Sequence, residues 1–471
     1  MTVLYNRIAD QIQELIQQGA YRTGDRLPGV RVLSRQFGVS IATILQSHQV
    51  LEGRGFVDAR ERSGYYVRLP PSQTPVPTVD QVQSRPTPVS ARELAVEMVR
   101  AAQDRTLVPL GAAVPHSDFM PMRQMQQAAS WAARLGRDAQ DYAFPGKLVL
   151  RRQIAQRMTA LGAPTVPDQL VITTGAQEAI TIALRSVTKP GDIVALESPF
   201  FPGILHSLEL LGLRVIEIPS DPSQGISLEG LQLALEQWPV AACIVVVNHS
   251  NPLGCRLSDA RKQRLVRMLS TAKVPLIEDD IYGDLPLEGE RPRPAKAFDR
   301  EGNVLYCGSF SKTLSPGMRI GWLQPGRYLE EALQQKYFMN IATSTIPQLA
   351  VAHFLEQNGY ERFLRTVRQR YAEALERMRT AVGHYFPEGT AVSRPVGGFV
   401  LWVQMPDGCD GTEIFRQALG EGISVAHGRL FSLSDKFQNC LRLNGANPWD
   451  EKIEKALKRL GEMALLQASK R

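Results

Sequence analysis

Residues Pro70 to Pro88 read PPSQTPVPTVDQVQSRPTP, six prolines within a short stretch. Each proline fixes φ near −65° and removes a backbone donor, so this segment forms neither a helix interior nor a central strand and stays extended. It divides the 471-residue chain into a short piece, 1–69, and a long piece, 106–471, with a linker over 70–105. The alternative, a long surface loop inside one domain, conflicts with how rarely compact folds carry structureless loops of this length.

In the short piece, Leu4, Ile8, Ile12, Leu15 and Ile16 recur at helical spacing. After a turn at Gly24-Asp25, Pro28 can open a second helix with Val30, Leu33 and Phe37 on one face, stopped by Gly38. Ser40 can cap a third, its hydroxyl accepting a first-turn N–H. Ile44, Leu45, His48 and Leu51 continue the apolar face, His48 as a packed core residue, until Gly53 and Gly55. Phe56-Val57 and Tyr65-Tyr66-Val67 then read as two strands around a polar turn, 58–64. Helix, helix, tight turn, helix, hairpin is the order of a winged helix-turn-helix.

Charge points the same way. Nine arginines against six carboxylates give residues 1–69 an excess of three, while the other 402 residues share the remaining four of the net +7. A small basic segment suits a polyanion. A helix reading DNA presents short polar side chains at its start; the third helix opens Ser40, Ile41, Ala42, Thr43, followed by Gln46 and Ser47. Arg26, Arg31, Arg35 and Arg54 are placed to meet phosphates, and Arg60, Arg62 and Arg68 belong to the hairpin.

In the long piece strands and helices alternate, as in an α/β sheet domain. Leu170–Thr173, Ile193–Leu196, Val215–Ile218, Cys243–Val247, Leu276–Ile277 and Val304–Cys307 read as buried strands, and Gln177–Val187 as a helix. The longest apolar run, Val240–Val247, is far short of the roughly 20 residues a membrane span needs, so no membrane partner is expected. The N-terminus has no apolar signal region. Five widely spaced cysteines without C-x-x-C argue against a disulfide scaffold or a zinc site and fit a reducing cytoplasm. No metal site is expected.

A set of motifs follows in order: Thr174-Gly175-Ala176-Gln177, the run 197–203 (ESPFFPG), Asn251-Pro252-Leu253-Gly254, Asp279-Asp280-Ile281-Tyr282, Ser309-Phe310-Ser311-Lys312 and Arg319. Over roughly 110–465 this ordered set resembles the fold-type I aminotransferases, which use pyridoxal phosphate. The resemblance implies an aldimine at Lys312, the amine being the nucleophile for the cofactor aldehyde. Asp279, at the carboxyl end of an apolar strand, would keep the pyridine nitrogen protonated. Asn251 and Tyr282 match donors to the ring oxygen. Phe201, with Phe200 as competitor, would stack on the ring. The backbone of Gly175, Ala176 and Gln177 at a helix start, with Ser309, Ser311 and Arg319, would hold the phosphate. Tyr142 matches a residue reaching the partner subunit's phosphate, and Arg442 the residue taking the substrate carboxylate. For Arg319 and Arg442 an ordinary ion pair is the alternative; Asp280 is expected as a helix-cap or surface carboxylate. The five tryptophans are expected to pack.

GDRLP, Arg31 and GVS make the short piece similar to the GntR family of bacterial regulators, which often has arginine or another polar residue where this chain has Ile41. A GntR-like winged helix joined by a proline-rich linker to an aminotransferase-like domain resembles the MocR subfamily. That resemblance implies a homodimer with crossed domains. It also implies binding to double-stranded DNA and regulation of transcription by an amino compound, or by the cofactor itself. Every side chain that transamination requires is also present, so an active aminotransferase acting on an amino acid and a 2-oxo acid is the second expectation; a non-catalytic scaffold ranks below both.

Overall fold

The computed structural model describes residues 4–17, 20–21, 24–60, 63–68, 74–78, 85–89, 100–101, 103–357, 359–434 and 436–469. In the short piece, helices α1 (Leu4–Gln17), α2 (Val30–Phe37) and α3 (Ile41–Gly53) precede β1 (Val57–Arg60) and β2 (Gly64–Val67). The two strands pair antiparallel with Val57 opposite Val67. Ile8, Ile12, Ile16, Leu33, Ile44 and Leu51 meet in one core. α2 starts at Val30 rather than at Pro28, and stops where Gly38 turns left-handed at φ 67° and its N–H reaches the Ser34 carbonyl. Ser40 caps α3, its hydroxyl accepting the Thr43 N–H at 3.1 Å. His48 packs against the Tyr65 ring at 4.3 Å, and burial pushes its pKa down to about 4.

Two expected core residues, Leu4 and Leu45, are exposed. Ile44, Ser47, His48 and Leu51 are the buried residues of α3, and Leu45 lies 100° round the helix from Ile44. Asp58 to Arg60, expected in the turn, extend β1.

The long piece is built on a nine-stranded sheet: β3 (Thr87–Pro88), β5 (Val171–Thr173), β6 (Ile193–Ser198), β7 (Arg214–Asp221), β8 (Gly225–Ile226), β9 (Val240–Val245), β10 (Leu276–Asp279), β11 (Val304–Ser309) and β12 (Gly321–Gln324). Their spatial order is β3-β7-β6-β9-β10-β11-β12-β5, with β8 on β7. β7, β6, β9, β10 and β11 run parallel. Such strands are buried on both faces: Leu196, Ile244 and Ile277 face one core, Ala195, Val245 and Leu276 the other. Several strands outrun their apolar stretches. β6 continues to Ser198, β10 to Asp279 and β11 to Ser309, placing polar residues at the carboxyl end of the sheet.

A second, antiparallel sheet comprises β13 (Ala391–Val392), β14 (Val400–Gln404), β17 (Cys440–Asn444) and β16 (Ala426–His427), in that order. It shares a core with the helices Tyr360–Tyr385 and Glu451–Ala468. β4 (Val108–Pro109) pairs in parallel with β15 (Ile423–Ser424) beside it.

Two described parts of the linker, 74–78 and 85–89, are extended, as proline requires, and both are docked, whereas Arg100, Ala101 and Gln103 are helical. The Pro75 carbonyl accepts the Val392 N–H at 2.8 Å, and β3 adds to the edge of β7, where a proline costs no ladder bond. The winged helix touches the long piece through Asp58, which pairs with Arg68 at 3.1 Å and with Arg377 of helix Tyr360–Tyr385 at 3.4 Å. Among the described residues no helix is long and apolar enough to cross a membrane.

Candidate functional site

At the carboxyl ends of the parallel strands lies a cavity of about 180 Å³, lined by Phe201, Asn251, Asp279, Tyr282, Lys312 and Arg319 among others. Asp279 is the last residue of β10, and Lys312 comes three residues after β11 ends. The Lys312 amine donates to the Ala113 carbonyl at 2.6 Å. Burial and the Arg442 guanidinium push its pKa down to about 8, against the opposing pull of Asp279. Burial pushes the Asp279 carboxyl up to about 7, although its Oδ1 accepts the Ile281 N–H at 3.2 Å. Asn251 donates to the Tyr282 hydroxyl at 3.5 Å and accepts from Arg442 Nη1 at 3.2 Å.

Gly175, at φ 86°, precedes the helix Ala176–Val187. A Cβ there would sit 2.6 Å from Arg319 Nη2, so glycine lets that guanidinium close over the helix start. Arg319 donates to the Thr174 carbonyl at 2.9 Å and to the Ser311 hydroxyl at 3.5 Å, and the Ser309 and Ser311 hydroxyls lie 2.9 Å apart. The Gln177 side chain donates to the Gly203 carbonyl and to Ser207. Phe201 lines the cavity while Phe200 is packed in the core, and a Cβ on Gly203 would meet the Phe201 ring at 2.4 Å. Carboxylate, amine, ring-oxygen donors, an aromatic face and a glycine-cleared anion cradle around one cavity fit pyridoxal phosphate.

On the winged helix, Arg26, Arg31, Arg35, Ser40, Ala42 and Gln46 are exposed and Thr43 is half-buried. The Ser40 hydroxyl is engaged by the cap and by the Thr43 hydroxyl at 2.8 Å. Ser47, expected on the outward face, is buried and donates to the Tyr5 carbonyl at 2.9 Å. Arg54, expected to meet phosphate, is held inside the domain by Asp10 at 2.6 Å and by Gln13. Arg60 stacks over Tyr66 and Arg68 pairs with Asp58; Arg62 lies outside the described residues.

Residues 4–67 match the family model of bacterial regulatory proteins, gntR family, and residues 108–460 match that of aminotransferase class I and II. YjiR of Escherichia coli strain K12, an uncharacterized HTH-type transcriptional regulator, is 39% identical over 464 residues, covering 97% of this chain and 98% of its own. The chain belongs to the MocR-type GntR regulators. A further relative of this MocR-type chain is aromatic-amino-acid aminotransferase 1 of Thermococcus litoralis, 26% identical over 381 residues, 78% of this chain and 90% of that one. Among solved structures, the alpha-aminoadipate aminotransferase LysN of Thermus thermophilus, complexed with N-(5'-phosphopyridoxyl)-L-leucine, superposes with a TM-score of 0.73. Its identity is 25%, with 80% of this chain and 98% of that chain covered.

Several residues of this MocR-type site stand differently from the sequence expectation. Asp280 is neither a cap nor a surface group. It is buried, bound to Arg291 at 2.8 Å, to the Tyr306 hydroxyl at 2.9 Å and to Asn248 at 2.9 Å. Among the described residues neither Arg319 nor Arg442 has a carboxylate partner. Arg442 is buried and donates to Asn251 and to the Gly111 carbonyl. Tyr142 is 84% exposed and is not brought to the cavity of its own chain. Sequence reasoning missed the main chain of Gly111 to Ala113, which caps both cations. Its signal was the small-residue run GAAVP: a Cβ on Gly111 would meet the Ser424 hydroxyl at 2.5 Å. It also missed the apolar walls Ile180, Val246 and Ile281.

Proposed function

We propose that this chain is a pyridoxal-phosphate-dependent transcriptional regulator. Its winged helix, 1–69, binds double-stranded DNA. The linker, 70–105, joins it to an aminotransferase-like domain, 106–471, that senses an amino compound or the cofactor at Lys312. The observation that carries this reading is the meeting of Lys312 and Asp279 at one cavity, beside Arg442, in a chain whose other domain turns Arg26, Arg31 and Arg35 to solvent.

When bound, pyridoxal phosphate supplies an aldehyde for the Lys312 amine and a ring that takes up electron density. Asp279 holds a proton on the ring nitrogen. Asn251 and Tyr282 donate to the ring oxygen, and Phe201 covers the ring face. The N–H groups of Ala176 and Gln177 beyond Gly175, with Ser309, Ser311 and Arg319, hold the phosphate. Arg442 takes the ligand carboxylate, which displaces the Gly111 carbonyl. A ligand shifts the balance of domain arrangements only by binding them unequally. Gly111 to Ala113 lie just after β4, so displacing their carbonyls from Arg442 and Lys312 would be one such difference.

A homodimer belongs to this reading. Tyr142 and Phe338, 84% and 70% exposed, with Phe144 and Tyr337 meeting edge to face nearby, form an aromatic surface suited to a second copy, whose phosphate Tyr142 would reach. The five cysteines are all buried, and a cytoplasmic location belongs to this reading.

The second reading is an active aminotransferase. An amine brought down to about 8 takes a proton at pH 7 far more readily than an ordinary lysine, which is what moving a proton at a substrate carbon needs. One experiment separates the two. Protein loaded with pyridoxal phosphate is given a panel of amino donors and 2-oxo acids, and both DNA affinity and 2-oxo acid consumption are followed. A change in affinity without sustained consumption supports the regulator. Turnover without specific DNA binding supports the enzyme.

A further inference from the structure

The outward face of α3 is apolar where it first meets solvent. Ile41 is 44% exposed and Leu45 is 41% exposed, and Ala42 lies beside them. Ile41 and Leu45 are four residues apart, so their side chains are neighbours on one helix face. The fold has no need of them there: the core of the short piece is closed by Ile44 and Leu51 on the opposite face. The polar side chains of this region are otherwise occupied. The Ser40 and Thr43 hydroxyls bond to each other and close the cap, and Ser47 is buried against α1. Among the described residues of 40–47, only Gln46 keeps an uncommitted, exposed polar group.

Arg26, Arg31 and Arg35 lie exposed on the same domain with no carboxylate partner among the described residues. An apolar centre with a basic rim complements the major groove. Phosphates line its edges, and its floor carries one kind of apolar group, the thymine 5-methyl. A hydrocarbon side chain cannot take a hydrogen bond from a base edge, so it discriminates by that methyl alone.

We infer that Ile41, Ala42 and Leu45 read thymine methyl groups, so that half-sites are specified at these positions by A·T pairs through methyl contact. This rests on the DNA-binding reading above and goes beyond it by naming the chemical group recognised.

The test uses the full-length protein and the duplex it retains from a randomised pool. Each thymine is replaced in turn by deoxyuridine, which removes the methyl and leaves pairing intact. At one to three thymines per half-site the affinity is expected to fall about fourfold, the value of one buried methyl. Ile41→Ser or Leu45→Ser should bind the thymine and uracil duplexes alike at one of those positions, with thermal unfolding unchanged. Retained, salt-dependent binding that ignores every thymine-to-uracil change would overturn methyl reading and leave DNA binding standing. If no duplex is retained, DNA binding itself falls and this inference with it. If either serine variant instead changes the oligomeric state of the DNA-free protein, the face is a protein interface and the inference is overturned.

Discussion

The surroundings of Lys312 set the protonation of its amine. With a pKa near 8, about a tenth of the amine is neutral at pH 7, against about one part in three thousand for an ordinary lysine. Only the neutral amine attacks an aldehyde. Capture of pyridoxal phosphate by the empty protein should therefore rise as pH passes from 7 to 9 and level off above a midpoint near 8, as stopped-flow absorbance would show. Arg442→Gln removes a cation that holds the pKa down, and should move that midpoint upward. Lys312→Ala should lose the visible absorbance of lysine-bound cofactor altogether; a variant that takes up cofactor as the parent does would remove Lys312 from the site. At this scale the sequence was informative because the chemistry demands particular functional groups: an amine, a carboxylate, an amide and a guanidinium have few substitutes. It failed at the neighbouring carboxylate: strand position pointed Asp279 to the cavity, but nothing in composition or order tells that Asp280 is buried against Arg291, eleven residues away.

Elements were legible through periodicity and punctuation. Gly38 and Ser40 marked the turn between α2 and α3, and the Ser40 cap gives a testable energy: Ser40→Ala should destabilise the short piece by about 1 kcal/mol in denaturant unfolding. Gly175→Ala should cost more. Its φ of 86° with ψ of 174° is a region essentially reserved for glycine, strained by about 1–3 kcal/mol for any residue with a Cβ, and that Cβ would push on Arg319. The expected readouts are a lower melting temperature and weaker retention of pyridoxal phosphate. Helical spacing was too coarse to separate Ile44 from Leu45, neighbours in sequence that face the core and the solvent. The apolar strand stretches stopped short of Ser198, Asp279 and Ser309, because a polar residue at a strand end breaks the pattern while the ladder continues. The described parts of the proline-rich stretch, 74–78 and 85–88, are extended as expected, but their docking on β7 and beside Val392 left no trace, since pairing through the backbone needs no particular side chain.

At the scale of the whole molecule, a GntR-type domain and an aminotransferase-like domain meet in one chain. The Asp58–Arg377 pair is part-exposed and worth about 0–1 kcal/mol, so it orients the winged helix without fixing it. Phosphate contacts by Arg26, Arg31 and Arg35 should make DNA affinity fall steeply with salt, and replacing any one of them by alanine should lower the salt slope by about one. The measurement that tests the account most directly is DNA affinity at one fixed salt concentration, for the parent and for Lys312→Ala. Each is measured alone, with pyridoxal phosphate, and with pyridoxal phosphate plus each amino compound of a panel. The account predicts that the parent's affinity changes on loading or with at least one amino compound, while the variant's stays where it began. Equal responses from both proteins, or none from either, would contradict it.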